Sequence, residues 1–122
     1  MRILVTGSRD WTDVHAVRQA LFDVWMEWDR PSDAVLVHGA CHLGGADMIA
    51  DACWRQQGFP VESYPAERDG SGRLLGPERN QMMVDLGADI CLAFPLADSR
   101  GTWSCVRRAK RAGIPVRVIS PT

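Results

Sequence analysis

No stretch of this chain is apolar for long enough to cross a bilayer. Runs such as residues 3–5 and 34–37 fall far short of the roughly 20 residues a spanning helix needs. A signal peptide is not expected either, because Gly7, Arg9 and Asp10 break the apolar start before a hydrophobic region forms. Internal repeats, low-complexity segments and linker-like breaks are missing, so a single domain over residues 1–122 is expected. The four cysteines, Cys41, Cys53, Cys91 and Cys105, form no CxxC pair and no disulfide framework. They are expected to be reduced, in a cytoplasmic protein with no membrane partner. His38, Cys41 and His42 offer metal-binding atoms within five residues, but no full ligand set accompanies them, so neither a metal nor a cofactor is expected. Neither GxGxxG nor a Walker A pattern occurs. Strong net charge is also lacking: the formal value of −1 excludes a surface built throughout for nucleic acid.

What is present is an alternation of short apolar runs and helical periods. Residues 2–6, 34–37, 61–64, 90–94 and 116–119 are brief apolar segments, while residues 13–28 carry Val14, Val17, Leu21, Val24 and Trp28 at steps of three and four. Thr12 or Asp13 can cap that helix. Further helices are predicted over residues 46–57, from Pro77 to about Leu86, and over 102–112, with Gly58, Gly87 and Gly113 as stops. Residues 67–76 read as a long, mobile polar loop. The order is βαβαβαβαβ, and unbroken apolar strands are buried on both faces. Right-handed crossovers then give an α/β fold: a Rossmann-like, doubly wound parallel sheet of about five strands with helices on both faces.

In such a sheet the carboxyl ends of all strands lie at one edge, and ligands bind there. The segments that follow the strands hold most of the small, polar and charged loop residues. Two of them are candidate phosphate cradles, since glycine permits close backbone approach and a helix amino end offers N–H groups and a positive dipole. One is loop 39–45, with Gly39, Ala40, Gly44 and Gly45. The other is Ser99, Arg100, Gly101 and Thr102. Each is equally readable as a tight strand-to-helix turn. Gly7 and Ser8 lead to Arg9, which either grips phosphate or pairs with Asp10 or Asp13. Asp47 either contacts a ribose or complements a helix dipole. Trp11 either stacks on a base or packs in the core. Trp25, Trp28 and Trp54 fall on helices, as core or contact residues. From residue 97 onward the charged residues are Arg100, Arg107, Arg108, Lys110, Arg111 and Arg117 against Asp98. They form either a solvated face or a surface for phosphate or an acidic partner.

Thr6–Trp11, His38-Gly39-Ala40, Gly44-Gly45-Ala46-Asp47, Pro77-Glu78-Arg79-Asn80 and Gly101-Thr102, in this order and spacing, resemble the SLOG superfamily and, within it, the YspA, cpYpsA-related SLOG family. The resemblance spans nearly the whole chain. It implies a Rossmann-like domain that binds nucleotides or their derivatives. The related Lonely Guy phosphoribohydrolases cleave the N-glycosidic bond of cytokinin nucleotides, and their Glu-Arg-Lys segment matches Glu78-Arg79-Asn80. If the chain is an enzyme, Arg79 is therefore the catalytic-type residue that carries over. Their Pro-Gly-Gly-x-Gly-Thr-x-x-Glu loop matches only at Gly101-Thr102, and the glutamate position falls on Cys105.

The leading expectation is a binding module for a nucleotide-derived small molecule. Gly7, Ser8, Arg9, Gly39, Ala40, Gly44, Gly45, Asp47, Arg79, Ser99, Arg100, Gly101 and Thr102 are its candidate ligand-binding residues. One alternative is N-glycosidic hydrolysis of nucleoside monophosphates. It is disfavoured because a neutral thiol cannot stabilise an oxocarbenium-like charge, although Glu67, Asp69, Glu78 and Asp98 are possible substitutes. A second alternative, single-stranded nucleic-acid binding, is disfavoured because only Trp103 accompanies the basic segment. A homodimer is expected from Phe22, Trp25 and Met26, which lie outside the main apolar stripe of the first helix.

Overall fold

A computed structural model describes residues 1–40 and 44–121. In chain order the elements are β1 (Arg2–Gly7), α1 (Val14–Glu27), β2 (Val35–His38), α2 (Ala46–Gln56), β3 (Val61–Ser63), α3 (Gly76–Asp85), β4 (Ile90–Phe94), α4 (Arg100–Arg111) and β5 (Val116–Val118). The strands form one parallel sheet in the order β3-β2-β1-β4-β5. The chain winds outward from β1 to β3, then crosses back to β4 and β5. The topological switch therefore lies between β1 and β4.

The alternation of side chains along each strand divides the core in two. Ile3 and Val5 of β1, Leu36 of β2 and Leu92 and Phe94 of β4 meet Val17, Leu21 and Val24 of α1 and Ala46, Ala50 and Trp54 of α2. Leu4, Val37 and Cys91 point the other way, to Met83 and Val84 of α3 and Cys105 and Ala109 of α4. The sheet is thus covered by α1 and α2 on one face and by α3 and α4 on the other. Each fully buried aliphatic side chain contributes about 1.5–3 kcal/mol, so the central strands hold the two layers together. The indoles that enter this core keep their polar edge satisfied: Nε1 of Trp11, Trp25 and Trp54 donates to the carbonyls of Asp13, Pro31 and Ala34 at 2.9, 3.1 and 3.1 Å.

Asp13 caps α1, accepting from the Ala16 amide at 3.1 Å. Several expected boundaries move by one or two residues. Gly76, rather than Pro77, opens α3. The last helix begins at Arg100, two residues before Thr102, because the Trp103 amide donates to the Ser99 carbonyl and closes a first turn there. Of residues 67–76, expected to be a mobile loop, 67–75 fold back as a small hairpin and Gly76 joins α3. Leu75 N donates to Glu67 O, Asp69 N to Arg73 O, and Arg68 bridges Leu74. Asp69 fixes the turn by accepting from the Ser71 hydroxyl and from the Ser71 and Arg73 amides. Those bonds, led by the Ser71 hydroxyl, hold its carboxyl below the usual range.

Candidate ligand cavity at the switch between β1 and β4

A cavity of about 640 Å³ opens at the carboxyl edge, where the chain leaves the paired strands β1 and β4 towards opposite faces of the sheet. Its walls include Gly7, Ser8, Arg9, Gly39, Asp47, Arg79, Ser99, Arg100, Gly101 and Thr102. Ten of the thirteen residues singled out from the sequence are thereby brought together. Ala40, Gly44 and Gly45 do not line it. The rest of loop 39–45, Cys41, His42 and Leu43, lies outside the described residues.

The glycines of this edge have different physical roles. A Cβ at Gly7 would stand 2.4 Å from the Cβ of Ala46, so Gly7 lets α2 start against the end of β1. Gly45, at φ +80°, presses its Cα on the Ser8 and Arg9 backbone, and the Ala46 amide donates to Ser8 O at 3.1 Å. A Cβ at Gly101 would meet nothing within 4 Å. Gly101 therefore opens space at the first turn of α4, whereas Gly45 closes a contact. The amino end of α4 has no side-chain cap, because the Ser99 hydroxyl turns back to accept from Leu96 N at 2.7 Å. The residues of that first turn, Arg100, Gly101 and Thr102, line the cavity, and the amides at a helix start have no partner within the helix.

Arg79 enters from α3. Its Nη1 donates to the carbonyls of Gly39 and Tyr64, and its Nε donates to Asn80 Oδ1 at 2.9 Å. Among the described residues Arg79 makes no ion pair, and neither do Arg9 and Arg100, which are exposed at the rim. The expected alternative for Arg9, a pair with Asp10 or Asp13, is not among the ion pairs of the described residues. Ser8 accepts from the Asp10 amide at 3.0 Å and keeps its hydroxyl proton available. Asp10, Asp47 and Asp98 are the carboxylates on the walls.

Several sequence readings resolve structurally. Trp11 is 2% exposed and meets Phe94 edge-on at 5.3 Å, so it is a core residue and not a platform for a base. His38 is fully buried. Its Nδ1 accepts from the Ala40 amide at 2.9 Å, so the proton sits on Nε2, which meets Asp51 at 2.7 Å. Burial raises the Asp51 pKa, but the hydrogen bonds from Arg55 and His38 outweigh it and set the carboxyl below its usual range. Both nitrogens of His38 are engaged inside the fold, and among the described residues no cluster of His, Cys, Asp or Glu could hold a metal. Cys105, at the position of the missing glutamate, is fully buried and packs with Cys91 in the core layer under α3 and α4. The neighbouring Cys105 thiol, then burial, holds the Cys91 thiol well above the ordinary range. Of the substitute carboxylates only Asp98 lines the cavity; Asp69 serves its own turn, and Glu78 pairs with Arg73 at 2.8 Å. Glu67 and Glu78 line a neighbouring cavity of about 370 Å³ that shares Arg79.

Sequence reasoning missed the roles of Asn80 and Met83. Both sit on the buried stripe of α3, with Val84, and line the cavity from below. The readable signal was a polar residue on an otherwise apolar inward face. Among the described residues no helix is long and apolar enough to cross a membrane.

Comparison with known proteins agrees with this architecture. The model of the YspA, cpYpsA-related SLOG family matches residues 1–70. The Gene 61 protein of Mycobacterium phage D29 is 49% identical over 121 residues, covering 94% of this chain and 93% of that protein. No solved structure gives a significant match. With the family match covering β1 through β3 and the relative extending across both halves of the sheet, the chain belongs to the YspA, cpYpsA-related SLOG family.

Proposed function

We propose that the chain binds a nucleotide-derived small molecule in the cavity at the β1–β4 switch, as a sensor or sequestering module. The observation that carries this is that Arg9, Arg79 and Arg100, none ion-paired among the described residues, line one cavity together with the first turn of α4, which has no side-chain cap and where Gly101 leaves open space. A phosphate group satisfies both features: it accepts from backbone amides at a helix amino end and from guanidinium groups. Arg100, Gly101 and Thr102 would hold the phosphate, with Arg79 and Arg9 closing around it. Ser8 and Asp47 would face the sugar. Family membership supports a nucleotide-related module of this kind.

A panel of mono- and dinucleotides tests the proposal by thermal shift. A ligand at about 100 times its Kd adds about 2.7 kcal/mol to the stability of the native state, a rise of several degrees for a domain of this size. Gly101→Val should abolish the shift while leaving the fold intact, since the added side chain fills empty space. An unresponsive wild type, or a variant that responds equally, would sink it. Asp10, Asp47 and Asp98 on the walls make base release from AMP, GMP, CMP or UMP the competing outcome. Chromatography of overnight incubations separates the two: release lost on Arg79→Ala would replace a binding module with a hydrolase.

A further inference from the structure

We infer, resting on the phosphate site proposed above, that Asn80 is a positioning residue: it orients Arg79 without neutralising it and ties the arginine to the phosphate-binding turn of α4. Asn80 is 5% exposed, on the inward face of α3. Its Oδ1 accepts from Arg79 Nε at 2.9 Å, and its Nδ2 donates to the Gly101 carbonyl at 3.3 Å. The two partners admit only one orientation of the amide, because a guanidinium can only donate and a carbonyl can only accept. One side chain therefore links two parts of the site that are 21 residues apart in sequence.

The residue type matters. An aspartate here would also accept from Nε, but its charge would cancel that of Arg79, and it would set an oxygen against the Gly101 carbonyl. An apolar residue would leave both partners without a bond. The same logic holds for the other partners of Arg79, the carbonyls of Gly39 and Tyr64. All three acceptors are neutral. They fix the Nε and Nη1 side of the guanidinium, and the positive charge remains for whatever enters the cavity that Arg79 lines.

The test compares Asn80→Asp and Asn80→Ala with the wild type. Calorimetric titration measures affinity for AMP, GMP, CMP and UMP and for the matching nucleosides, and melting temperatures are recorded in parallel. The readout is the ratio of monophosphate to nucleoside affinity for whichever base binds. A merely structural loss weakens both ligands together and leaves this ratio unchanged. A ratio of about tenfold or more is expected for the wild type, as for one charge-assisted hydrogen-bonded group. It should fall towards one in Asn80→Asp and part of the way in Asn80→Ala. If Asn80→Asp does not fold, Asn80→Ala carries the comparison. A wild type that shows no preference for the monophosphate overturns the phosphate site and this inference together. A wild-type preference that survives in the folded variants overturns the role of Asn80 alone.

Discussion

The two edges of the sheet use the same residue types in opposite ways. At the amino edge Arg2 is neutralised by Glu62 through two 2.9 Å hydrogen bonds, and the Arg2 amide donates to Asp89 at 2.7 Å. At the carboxyl edge Arg79 is held by neutral oxygens, and Arg9 and Arg100 make no ion pair among the described residues. An arginine closed onto a carboxylate is a clasp between strands; an arginine oriented by amides and carbonyls keeps its charge for a ligand. Glycines at the carboxyl edge divide the same way: Gly45 is required by its neighbours, and Gly101 is not.

The largest effect expected follows from that last contrast. Gly45→Ala forces a side chain into the left-handed region, at about 1–2 kcal/mol, and drives its Cβ to 2.3 Å from Ser8 O and 2.4 Å from Arg9 Cα. Those are backbone atoms that cannot swing aside, so overpacking adds about 1–3 kcal/mol. A loss of about 3 kcal/mol lowers Tm by roughly 10 °C. Gly101→Ala should go the other way. It adds a helix-favouring residue in open space, worth up to about 1 kcal/mol. Scanning calorimetry of the two variants reads the opposite signs directly, and a fall in both would erase the distinction between the glycines.

Much of this architecture was legible and some was not, for identifiable reasons. Buried strands such as Ile90–Phe94 announce themselves because a parallel sheet covered on both faces leaves no polar alternation. The start of α4 was misplaced because Ser99, Arg100 and Gly101 have loop chemistry, and only the Trp103-to-Ser99 bond makes them a turn of helix. Gly45 and Gly101 look alike as letters; what separates them is whether another segment occupies the space of the missing Cβ. The site centred on Arg79 was visible as residues but not as an arrangement, since the bonds that orient it reach Gly39, Tyr64 and, through Asn80, Gly101.

An intermediate effect concerns apolar groups that the fold leaves outside both core layers. Phe22 and Met26 of α1 are 52% and 46% exposed, while Trp25 beside them is half-buried against Phe59. A second copy of the chain is the proposed cover. A two-fold pairing of α1 about Phe22 would cover Phe22 and Met26 of both copies at once. Light scattering at micromolar concentration should return twice the chain mass. Phe22→Asp should return the single mass and make Tm independent of protein concentration. A wild-type monomer would remove the second copy and leave α1 an exposed apolar face.

The smallest effect sharpens the contrast between the edges most directly. Hydrogen bonds from Arg2 and then Tyr64 hold the Glu62 carboxyl at about 2, against an ordinary 4.5. A carboxyl with a depressed folded pKa stabilises the native state fully above its unfolded value, and that stability is lost as pH falls from about 4.5 towards 2. The side chains of Arg2 and Glu62 are 28% and 37% exposed, so solvent screening limits the contribution to about 1 kcal/mol or less. Glu62→Gln should flatten the acid limb of stability against pH by that amount and, in the wild type, high salt should do part of the same. Tyr64 makes this more than a stability measurement: its hydroxyl donates to Glu62 at 2.6 Å, while its carbonyl accepts from Arg79. If the edges are independent, Glu62→Gln leaves nucleotide affinity at neutral pH unchanged, because the carbonyl of Tyr64 is fixed by the backbone. A drop in affinity would mean that the clasp at one edge sets the pose of the arginine at the other, and the two arginines would then form one coupled network.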